Sequence, residues 1–414
     1  MPELQSAFGL VVLFALAWAV GEKRRRSAWR VALAGIGLQI ALALILLKVP
    51  LIADLVASLG HVVTAMEKAT REGTSMVFGY IGGGALPFTE SRPGAAFVFA
   101  FQALPIIIVT STLTALLTHW RILPWIVKGI GFVLERGFRI GGAVGLGSAA
   151  NIFIGMVEAP LFVRPYLKDF SRSELFVLMT VGMATIAGTV FVLYASILAP
   201  VLPNAAGQIL VASVISAPAA IAVALLMVPP DGPPQDSGSL PPRETSSAME
   251  ALVVGARQGL NMLFLIVAML IALVALVHLA NGVLALLPDV AGEAVTLQKI
   301  LALVMTPLCW LMGIPWAECW DAAQLMATKV VLNELVSYLD LARLPEGTLG
   351  ERSRLILVYA MCGFANFGGL GIMVGGLTVL MPERRNEILA LSWKSLAAGV
   401  LATSATGCVI GILG

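Results

Sequence analysis

Charged residues are scarce in this chain of 414 residues: Asp, Glu, Lys and Arg make up 12% of it, whereas hydrophobic residues make up 59%. A soluble protein contains about twice that charged fraction. The composition therefore excludes a globular enzyme with a single anchor and predicts an all-α polytopic membrane protein. The net charge is only +2, and residues 23–26 form the one notable basic run, so nothing indicates nucleic acid as a partner.

Residues that hold metals or perform covalent chemistry are also few. Neither the cysteines nor the histidines have the spacing of a metal site, and the sequence contains no His-Glu-x-x-His or Gly-x-Ser-x-Gly motif. An intramembrane hydrolase is therefore disfavoured, and we expect a protein that is not an enzyme. Cys309 and Cys319 would pair only if their loop faces an oxidising compartment. The residues concerned are Cys309, Cys319, Cys362, Cys408, His61, His119 and His278.

A single carboxylate, Glu158, stands in an otherwise uncharged stretch, with no acid or base within five residues on either side. An ionised side chain at membrane depth costs at least ~3 kcal/mol and usually marks a substrate or ion pathway. Gly155 and Pro160 interrupt a regular helix here, and a membrane tolerates a broken helix only where it lines a cavity or is buried in protein. The alternative is a Glu at a helix end beside a cytoplasmic loop, because Arg164 and Lys168 follow closely.

A second stretch repeats this pattern around Glu334. Each Glu is followed by a hydrophobic segment that small residues interrupt, at 182–188 and at 363–369. The offset is 334 − 158 = 176 for the two Glu residues and 363 − 182 = 181 for the two segments. Two similar units at nearly one offset predict an internal duplication. Glycine-interrupted segments in corresponding halves are typical of a transporter's binding site.

Hydrophobic runs and basic residues together predict the topology. Basic clusters such as residues 23–26 are expected in the cytoplasm, which places both termini outside. With this topology, the two Glu segments are predicted to form re-entrant hairpins that enter the membrane from opposite faces. The whole chain would then be an inverted repeat with eight transmembrane helices. We also expect interfacial helices around residues 55–72 and near Trp310, Trp316 and Trp320. The predicted spans are residues 5–20, 31–49, 94–118, 173–197, 207–228, 258–280, 353–381 and 388–412.

A change of composition divides the chain into parts. Residues 229–249 are rich in Pro, Gly and Ser, and they predict a flexible linker in the cytoplasm. We expect residues 1–92 to hold the N-terminal spans and an interfacial helix that belong to a scaffold. Residues 93–228 would form the first repeat, with hairpin 1 and an unwound helix. Residues 250–414 would form the second repeat, with hairpin 2 and its own unwound helix.

Five motifs follow one another along the chain: Asn151-Ile-Phe-Ile-Gly-x-x-Glu-Ala-Pro160, Arg164-Pro-Tyr-Leu167, Ala184-Thr-Ile-Ala-Gly188, Leu332-Asn-Glu334 and Cys362-Gly-Phe-Ala-Asn-Phe-Gly368. Together they make the chain resemble the bacterial concentrative nucleoside transporters over almost its whole length. The resemblance implies a multi-pass homotrimer in the bacterial inner membrane, with outer scaffolds around transport domains that hold the hairpins and unwound helices. It implies ion-coupled import of nucleosides by alternating access, with sodium as the coupling ion and no organic cofactor.

The same resemblance implies where each ligand binds. The nucleobase would face the tip of hairpin 1, and the ribose hydroxyls would meet Glu334 and Asn366. A carboxylate is the strongest acceptor available for hydroxyl donors, which agrees with this assignment. The implied substrate-binding residues are Met156, Val157, Glu158, Val190, Glu334, Phe364, Asn366 and Gly369. The implied sodium ligands are the side chains of Asn151 and Thr185 and the backbone carbonyls of Ile154 and Ile186, which are hard oxygens of the kind that unwound helices supply.

Three positions depart from the common pattern of the family. Met156 and Val157 stand where many relatives have polar residues, and Gly369 stands where many have Ser. A site that loses donors and acceptors broadens or shifts its selectivity, so the preferred nucleosides stay open; an apolar wall favours the larger purine bases. The coupling ion also has an alternative. A proton-coupled transporter of nucleosides or nucleobase analogues would use the same fold with a titrating Glu, while the Thr185 hydroxyl favours sodium.

Overall fold

The structure, a computed structural model, describes residues 2–23, 28–90, 95–230, 232, 240, 243, 245–289, 292 and 294–414. Within these ranges every regular element is a helix, as expected of apolar backbone that must satisfy its hydrogen bonds within the segment. The α-helices are α1 (Pro2–Ala19), α2 (Ala28–Lys48), α3 (Pro50–Phe78), α4 (Phe99–Gln102), α5 (Ile106–His119), α6 (Ile122–Phe138), α7 (Gly142–Phe153), α8 (Ala159–Phe162), α9 (Arg172–Ala184), α10 (Gly188–Leu198), α11 (Ala205–Met227), α12 (Ala248–Leu284), α13 (Leu297–Leu311), α14 (Cys319–Val331), α15 (Glu334–Arg343), α16 (Glu351–Met361), α17 (Phe367–Leu380) and α18 (Arg385–Leu413). Short 3-10 helices cover Gly79–Gly82, Arg164–Asp169, Trp316–Glu318 and Pro382–Arg384.

Eight helical segments of the described chain are long and apolar enough to cross a membrane, which is the predicted number. They are α1, α2, α3, α4 with α5, α9 with α10, α11, α12 and α18. Seven coincide with predicted spans. The remaining predicted span, residues 353–381, is divided into α16 and α17, and each of these is too short to cross a hydrocarbon core of ~30 Å alone.

Helix α3 is long and apolar enough to cross a membrane, whereas the sequence predicts an interfacial helix in this part of the chain. Val56 and Val63 are buried on one side of it. Lys68, Arg71 and Glu72 are exposed in its second half. One buried apolar side and one charged side are typical of a helix at the membrane surface, and this placement stays a prediction.

One end of the bundle holds Glu22, which directly precedes the basic run 23–26 that the sequence assigns to the cytoplasm. Glu22, which follows α1, accepts hydrogen bonds from Arg172 at 2.8 Å and from Lys394 at 2.6 Å. The hydrogen bond from Arg172, aided by Lys394, lowers the pKa of Glu22 to about 2. The Glu22 N–H donates to the Met227 carbonyl at 2.8 Å, so the linker begins at this end as well. We call it the basic end; the membrane side it faces stays a prediction.

The opposite end holds both chain termini, as predicted. Ser6 donates to the Met312 carbonyl at 2.9 Å. Arg352, in the first turn of α16, donates to the carbonyls of Gly313, at 2.6 Å, and of Gly411. Helices α1 and α18 therefore meet the start of α16 at one end of the bundle. We call it the terminal end.

Two helical hairpins enter the bundle from these opposite ends. Hairpin 1 consists of α7, α8 and the 3-10 helix Arg164–Asp169. Its base lies at the basic end, where Arg384 donates to the Phe170 carbonyl at 2.6 Å. Hairpin 2 consists of α14 and α15. Its base lies at the terminal end, where the Gly350 N–H donates to Glu318 at 3.2 Å. The opposed hairpins of the sequence prediction are confirmed.

The order of elements after residue 100 repeats itself. Helices α5, α6, α7, α8, α9 with α10, and α11 are followed by α12, α13, α14, α15, α16 with α17, and α18 in the same sequence. In each half, a hairpin precedes a helix that is broken near its middle, at 185–187 and at 362–366. The internal duplication inferred from two Glu residues is therefore a duplication of six elements. Most of the predicted linker 229–249 and the basic residues 24–26 lie outside the described residues.

The cysteines play no covalent role in this fold. Cys309, Cys319, Cys362 and Cys408 are all buried free thiols. The pairing of Cys309 with Cys319, which the sequence left open, is therefore absent, and Cys319 instead lies with its sulfur 3.4 Å from the Ile314 carbonyl oxygen.

Candidate functional site

The tip of hairpin 1 packs closely against the broken helix that follows it. Gly155 has φ +99°, a conformation that favours glycine, and a Cβ there would lie 2.7 Å from the Ala187 Cβ. A Cβ on Gly188 would lie 2.5 Å from the Phe153 carbonyl oxygen. These two glycines allow the hairpin tip and the break at 185–187 to touch, backbone against backbone.

This contact leaves several oxygens available to a cation. The Asn151 side chain is buried, its Nδ2 donates to the Gly147 carbonyl at 3.1 Å, and its Oδ1 has no hydrogen-bond partner among the described residues. The Thr185 hydroxyl donates to the Val181 carbonyl at 2.9 Å and lies 3.3 Å from the Asn151 carbonyl oxygen. A buried acceptor without a donor is unfavourable by itself, so these residues fit a bound sodium ion.

Two backbone carbonyl oxygens lie in the same region as Asn151 and Thr185. Ile154 and Ile186 are buried, lie outside the helices, and no backbone N–H of a described residue donates to their carbonyl oxygens. The break at 185–187 frees the Ile186 carbonyl and brings Thr185 beside Asn151, and the end of α7 at the tip of hairpin 1 frees the Ile154 carbonyl. The structure therefore brings all four implied sodium ligands into one region, and their role toward sodium stays a prediction.

The second hairpin carries a carboxylate that is already hydrogen-bonded. Glu334 begins α15 and is 3% exposed. Its Oε1 accepts from the Tyr194 hydroxyl at 2.5 Å, and its Oε2 accepts from Asn366 Nδ2 at 2.8 Å. Tyr194 comes from α10 and Asn366 from the break before α17. Three elements from both repeats thus converge on one carboxyl group.

Asn366 also lies at the N-terminal cap of α17, the helix that follows the break at 362–366. Its Oδ1 accepts from the Gly369 N–H at 2.6 Å, so it caps α17 while its Nδ2 holds Glu334. A Cβ on Gly369 would lie 2.3 Å from the Phe364 carbonyl oxygen. The glycine at this position is therefore part of the local backbone path, and a serine would require the chain between Phe364 and Gly369 to move.

Both hairpin tips and both helix breaks line one cavity of about 400 Å³. This volume lies within the ~300–1,000 Å³ range of small-molecule sites. All eight implied substrate-binding residues lie on its wall: Met156, Val157, Glu158, Val190, Glu334, Phe364, Asn366 and Gly369. The structure brings the predicted residues together, and their contacts with a substrate stay a prediction.

Glu158 differs from Glu334 in its surroundings. It lies on the cavity wall, and its carboxyl, unlike that of Glu334, makes no hydrogen bond or ion pair with a described residue. Its neighbour Val157 is 37% exposed and faces Gly376 of α17, where a Cβ would lie 3.4 Å from the valine methyl group. The hairpin 1 side of the cavity is therefore apolar apart from one unpaired carboxyl.

Sequence reasoning assigned no role in the site to five polar residues near this cavity, one of which, Asn333, caps α15 beside Glu334 and lies on the cavity wall. Tyr194, Gln258 and Asn261 lie on its wall, and Lys329 is buried behind Glu334. Tyr194 lies four residues after Val190, so helical spacing places both on the same side of α10, but a tyrosine in such a helix does not by itself mark a site. A lysine in an apolar run carries the same signal as a glutamate, and Lys329 could have been found from that alone. Nothing local marks Gln258 and Asn261, because α12 reaches the cavity only through tertiary packing.

The arrangement defines the class of protein. Inverted repeats, discontinuous helices and hairpins that meet at one internal polar cavity are the features of a secondary transporter, in which unwound segments supply the groups that bind substrate and ion. The described residues contain no group of three or more potential metal ligands.

Comparisons with known proteins identify the family. Models described as the N-terminus and C-terminus of Na+ dependent nucleoside transporters match residues 8–81 and 208–411, and one described as nucleoside recognition matches residues 100–201. The nucleoside permease NupC of Helicobacter pylori is 33% identical over 416 residues, covering 99% of this chain and 97% of that protein. The sodium/nucleoside cotransporter 1 of Rattus norvegicus is 32% identical over 430 residues, covering 99% of this chain and 64% of that longer protein.

Solved structures agree with the sequence comparison. CNTnw in an inward-facing substrate-bound state matches with a TM-score of 0.90 and 31% identity, covering 100% of this chain and 98% of that one. A CNTnw variant in an outward-facing state matches with a TM-score of 0.88 over the same shares. The chain belongs to the concentrative nucleoside transporter family, and the resemblance found in its motifs is confirmed. Its relatives are transporters and not enzymes.

Proposed function

We propose that this protein imports nucleosides together with sodium across the bacterial inner membrane, by alternating access. The observation that carries the proposal is the Glu334–Asn366 pair on the wall of the cavity. A carboxylate and an amide that face one space accept from and donate to the adjacent hydroxyls of a ribose, which every nucleoside contains. Tyr194 fixes the Glu334 carboxyl in place through the 2.5 Å hydrogen bond.

The base would lie against hairpin 1. Met156, Val157 and Val190 offer apolar surface and no directional hydrogen bonds, so they discriminate poorly between bases of similar size. Glu158 is the one carboxyl in this part of the wall. We propose that the apolar side favours the larger purine bases through contact area, while Glu158 accepts a hydrogen bond from a base amino group.

Sodium would bind between hairpin 1 and the break at 185–187. The unpaired Asn151 Oδ1, the Thr185 hydroxyl and the free carbonyls of Ile154 and Ile186 supply the hard oxygens that a small cation prefers. The ion would contribute positive charge that holds hairpin 1 against its partner. Binding of nucleoside to the same hairpin then depends on sodium, which is the requirement for coupled transport.

The remaining proposals concern assembly. We propose that the hairpins and broken helices move as a transport domain within a scaffold that assembles as a homotrimer in the lipid bilayer. Residues 1–92, 93–228 and 250–414 would form the N-terminal part and the two repeats, with 229–249 as linker. The exposed apolar surface of α12, with Phe264 60% and Ile271 67% exposed, supports a partner or lipid on its outer side.

Proton coupling is the second candidate, and one observation favours it. Glu158 lies on the cavity wall and its carboxyl has no ion-pair partner among the described residues, so in this alternative it carries the coupled proton. In this alternative, uptake follows a pH gradient and Glu158→Gln uncouples it.

Uptake into proteoliposomes tests both candidates. Labelled uridine, adenosine and guanosine are supplied with an inward sodium gradient, with a pH gradient, and with neither. We expect accumulation with the sodium gradient alone, and loss of accumulation for all three nucleosides in Glu334→Gln. Glu346→Gln, a change at an exposed residue outside the cavity, is the matched control. Accumulation that follows only the pH gradient would establish the proton-coupled alternative.

A further inference from the structure

Lys329 is a buried cation in hairpin 2 that the proposed function leaves without a role. Its side chain has no exposed surface, and its Nζ has no hydrogen-bond partner among the described residues. The residues before and after it, Thr328 and Val330, are buried as well. A buried ammonium group in this condition is unfavourable unless opposite charge compensates it.

The opposite charge lies across the tip of the same hairpin. Glu334 is the first residue of α15, and Lys329 lies in the last turn of α14. A carboxylate near a helix N-terminus and an ammonium group near a helix C-terminus are both favoured by the helix dipole. The Glu334 carboxyl acts electrostatically on Lys329, although the two side chains are not hydrogen-bonded to each other. The tip of hairpin 2 therefore contains one buried positive charge and one buried negative charge.

The hydrogen bonds of Glu334 are those of an ionised carboxylate. One of its oxygens accepts from the Tyr194 hydroxyl and the other accepts from the Asn366 amide, so neither bond uses a proton of Glu334 itself. These two donors are neutral, and they orient the carboxylate without balancing its charge. A protonated carboxyl would turn one oxygen into a donor, and the ribose hydroxyls would lose an acceptor.

The other titratable groups around Glu334 do not balance its charge either. Tyr194 on α10, Tyr338 on α15 and Cys362 after α16 all interact electrostatically with its carboxyl. The Tyr338 hydroxyl and the Cys362 thiol each donate to a backbone carbonyl, at 2.9 Å and 3.7 Å. None of these three groups carries a positive charge, so Lys329 supplies the positive charge of the cluster.

We propose that Lys329 is a positioning residue that balances the charge of Glu334, so that Glu334 stays an ionised acceptor for the ribose hydroxyls. This inference rests on the sugar contact proposed above. Lys329 is not one of the residues that line the cavity, so it acts on the substrate only through Glu334. Because both charges belong to hairpin 2, they move together whenever the hairpin moves, and Glu334 keeps the same partner in every state.

A double-mutant cycle of Lys329→Met and Glu334→Gln tests the pairing. Calorimetry on the purified protein, at one saturating sodium concentration and neutral pH, measures the affinity for uridine and adenosine. Lys329→Met alone should weaken both nucleosides about 10- to 100-fold, because Glu334 then loses its charge. When Glu334→Gln is already present, Lys329→Met should weaken them less than about twofold. A purely structural role would cost the same in both backgrounds. Lys48→Met, at an exposed lysine, is the control and should leave affinity unchanged in both.

The pH dependence of nucleoside affinity is a second readout. A buried carboxylate without a balancing charge takes up a proton instead. The affinity of Lys329→Met should therefore fall more steeply than that of the wild type as the pH is lowered from mildly alkaline to mildly acidic. The double variant should follow Glu334→Gln, because no carboxyl remains at that position. Glu158 is present in all four proteins, so its own contribution cancels in these differences. Equal pH profiles for Lys329→Met and the wild type would overturn the proposal.

Thermal unfolding without nucleoside separates the charge pairing from sugar recognition. Each single variant leaves one buried charge uncompensated and should lower the unfolding midpoint, whereas the double variant should recover most of that loss. A double variant less stable than both single variants would overturn the pairing. If Glu334→Gln leaves nucleoside affinity unchanged, the sugar contact is refuted, and the unfolding cycle still decides whether the two charges are paired. If Lys329→Met does not fold, a folded double variant supports the pairing and an unfolded one overturns it.

Discussion

The Glu334→Gln variant tests the sugar side of the site. In the structure, the Glu334 carboxylate accepts from two donors, the Tyr194 hydroxyl and the Asn366 Nδ2. A glutamine has one acceptor oxygen and one donor group in its place. If its oxygen stays with Tyr194, its amide nitrogen meets the amide nitrogen of Asn366, and two donors face each other. The variant thus removes a charge and also disturbs the residue that caps α17.

The magnitude follows from these contacts. Hydrogen bonds to charged groups are worth ~1.5–3 kcal/mol, and 1.4 kcal/mol corresponds to a factor of ten in affinity. We therefore expect Glu334→Gln to weaken every nucleoside about 10- to 100-fold. Tyr194→Phe removes a hydrogen bond within the protein and keeps both the charge and the carboxylate oxygens that the ribose would meet, so its effect on nucleoside affinity should be smaller than that of Glu334→Gln.

Calorimetry with uridine, adenosine and guanosine is the appropriate assay, because the three ligands share the ribose and differ in the base. The three affinities should fall by similar factors in Glu334→Gln and should keep their order. The reasoning is refuted if only one nucleoside is weakened, because Glu334 would then contact a base. It is also refuted if Tyr194→Phe costs more than Glu334→Gln.

Four further outcomes are expected. Asn151→Ala and Thr185→Ala should each raise the sodium concentration for half-maximal uptake, and unchanged values would exclude the sodium site proposed here. Met156→Gln should change the order of base affinities more than their mean, which the same calorimetry measures; equal weakening of all three nucleosides would place this residue away from the base. Cysteines introduced in the linker 229–249 should be labelled only from the cytoplasm. Labelling only from outside would show that the predicted topology is inverted. Because the pKa of Glu22 falls from 4.5 to about 2 on folding, its contribution to stability is present above pH 4.5 and is lost as the pH falls toward 2; Glu22→Gln should remove that part of the acid dependence, measured as unfolding midpoints against pH.

The sequence was most informative where a residue was out of place. Glu158 and Glu334 were found because a carboxylate in an apolar run has few structural explanations, and the glycines after them predicted the breaks at 185–187 and 362–366. The predicted spans 173–197 and 353–381 are each long enough to cross a membrane, and each consists of two helices with a predicted break between them. The unwound geometry depends on capping by Asn366, a tertiary feature that hydropathy does not contain.

The polar residues that the sequence did not predict for the site need a different explanation. A tyrosine such as Tyr194 is common in the core of a membrane bundle, and only its hydrogen bond to Glu334 from another repeat gives it a role. Lys329, in contrast, stands in an apolar run and carries the same sequence signal as Glu158 and Glu334. The polar groups of α12 reach the cavity through packing between helices that are distant in sequence. Sequence patterns within one segment do not contain that information.

Thr185 stands at the junction of the two repeats. Its hydroxyl lies beside Asn151 of hairpin 1, and its carbonyl oxygen accepts from the Phe364 N–H of the other broken helix at 3.3 Å. Thr185 therefore contacts both hairpin 1 and the second broken helix. A cation that fixed the orientation of Thr185 would also fix the backbone at Phe364, which lies two residues before Asn366. Ion occupancy and sugar recognition would then be linked through a single rigid connection, and a substitution at residue 185 could alter substrate affinity without touching the substrate.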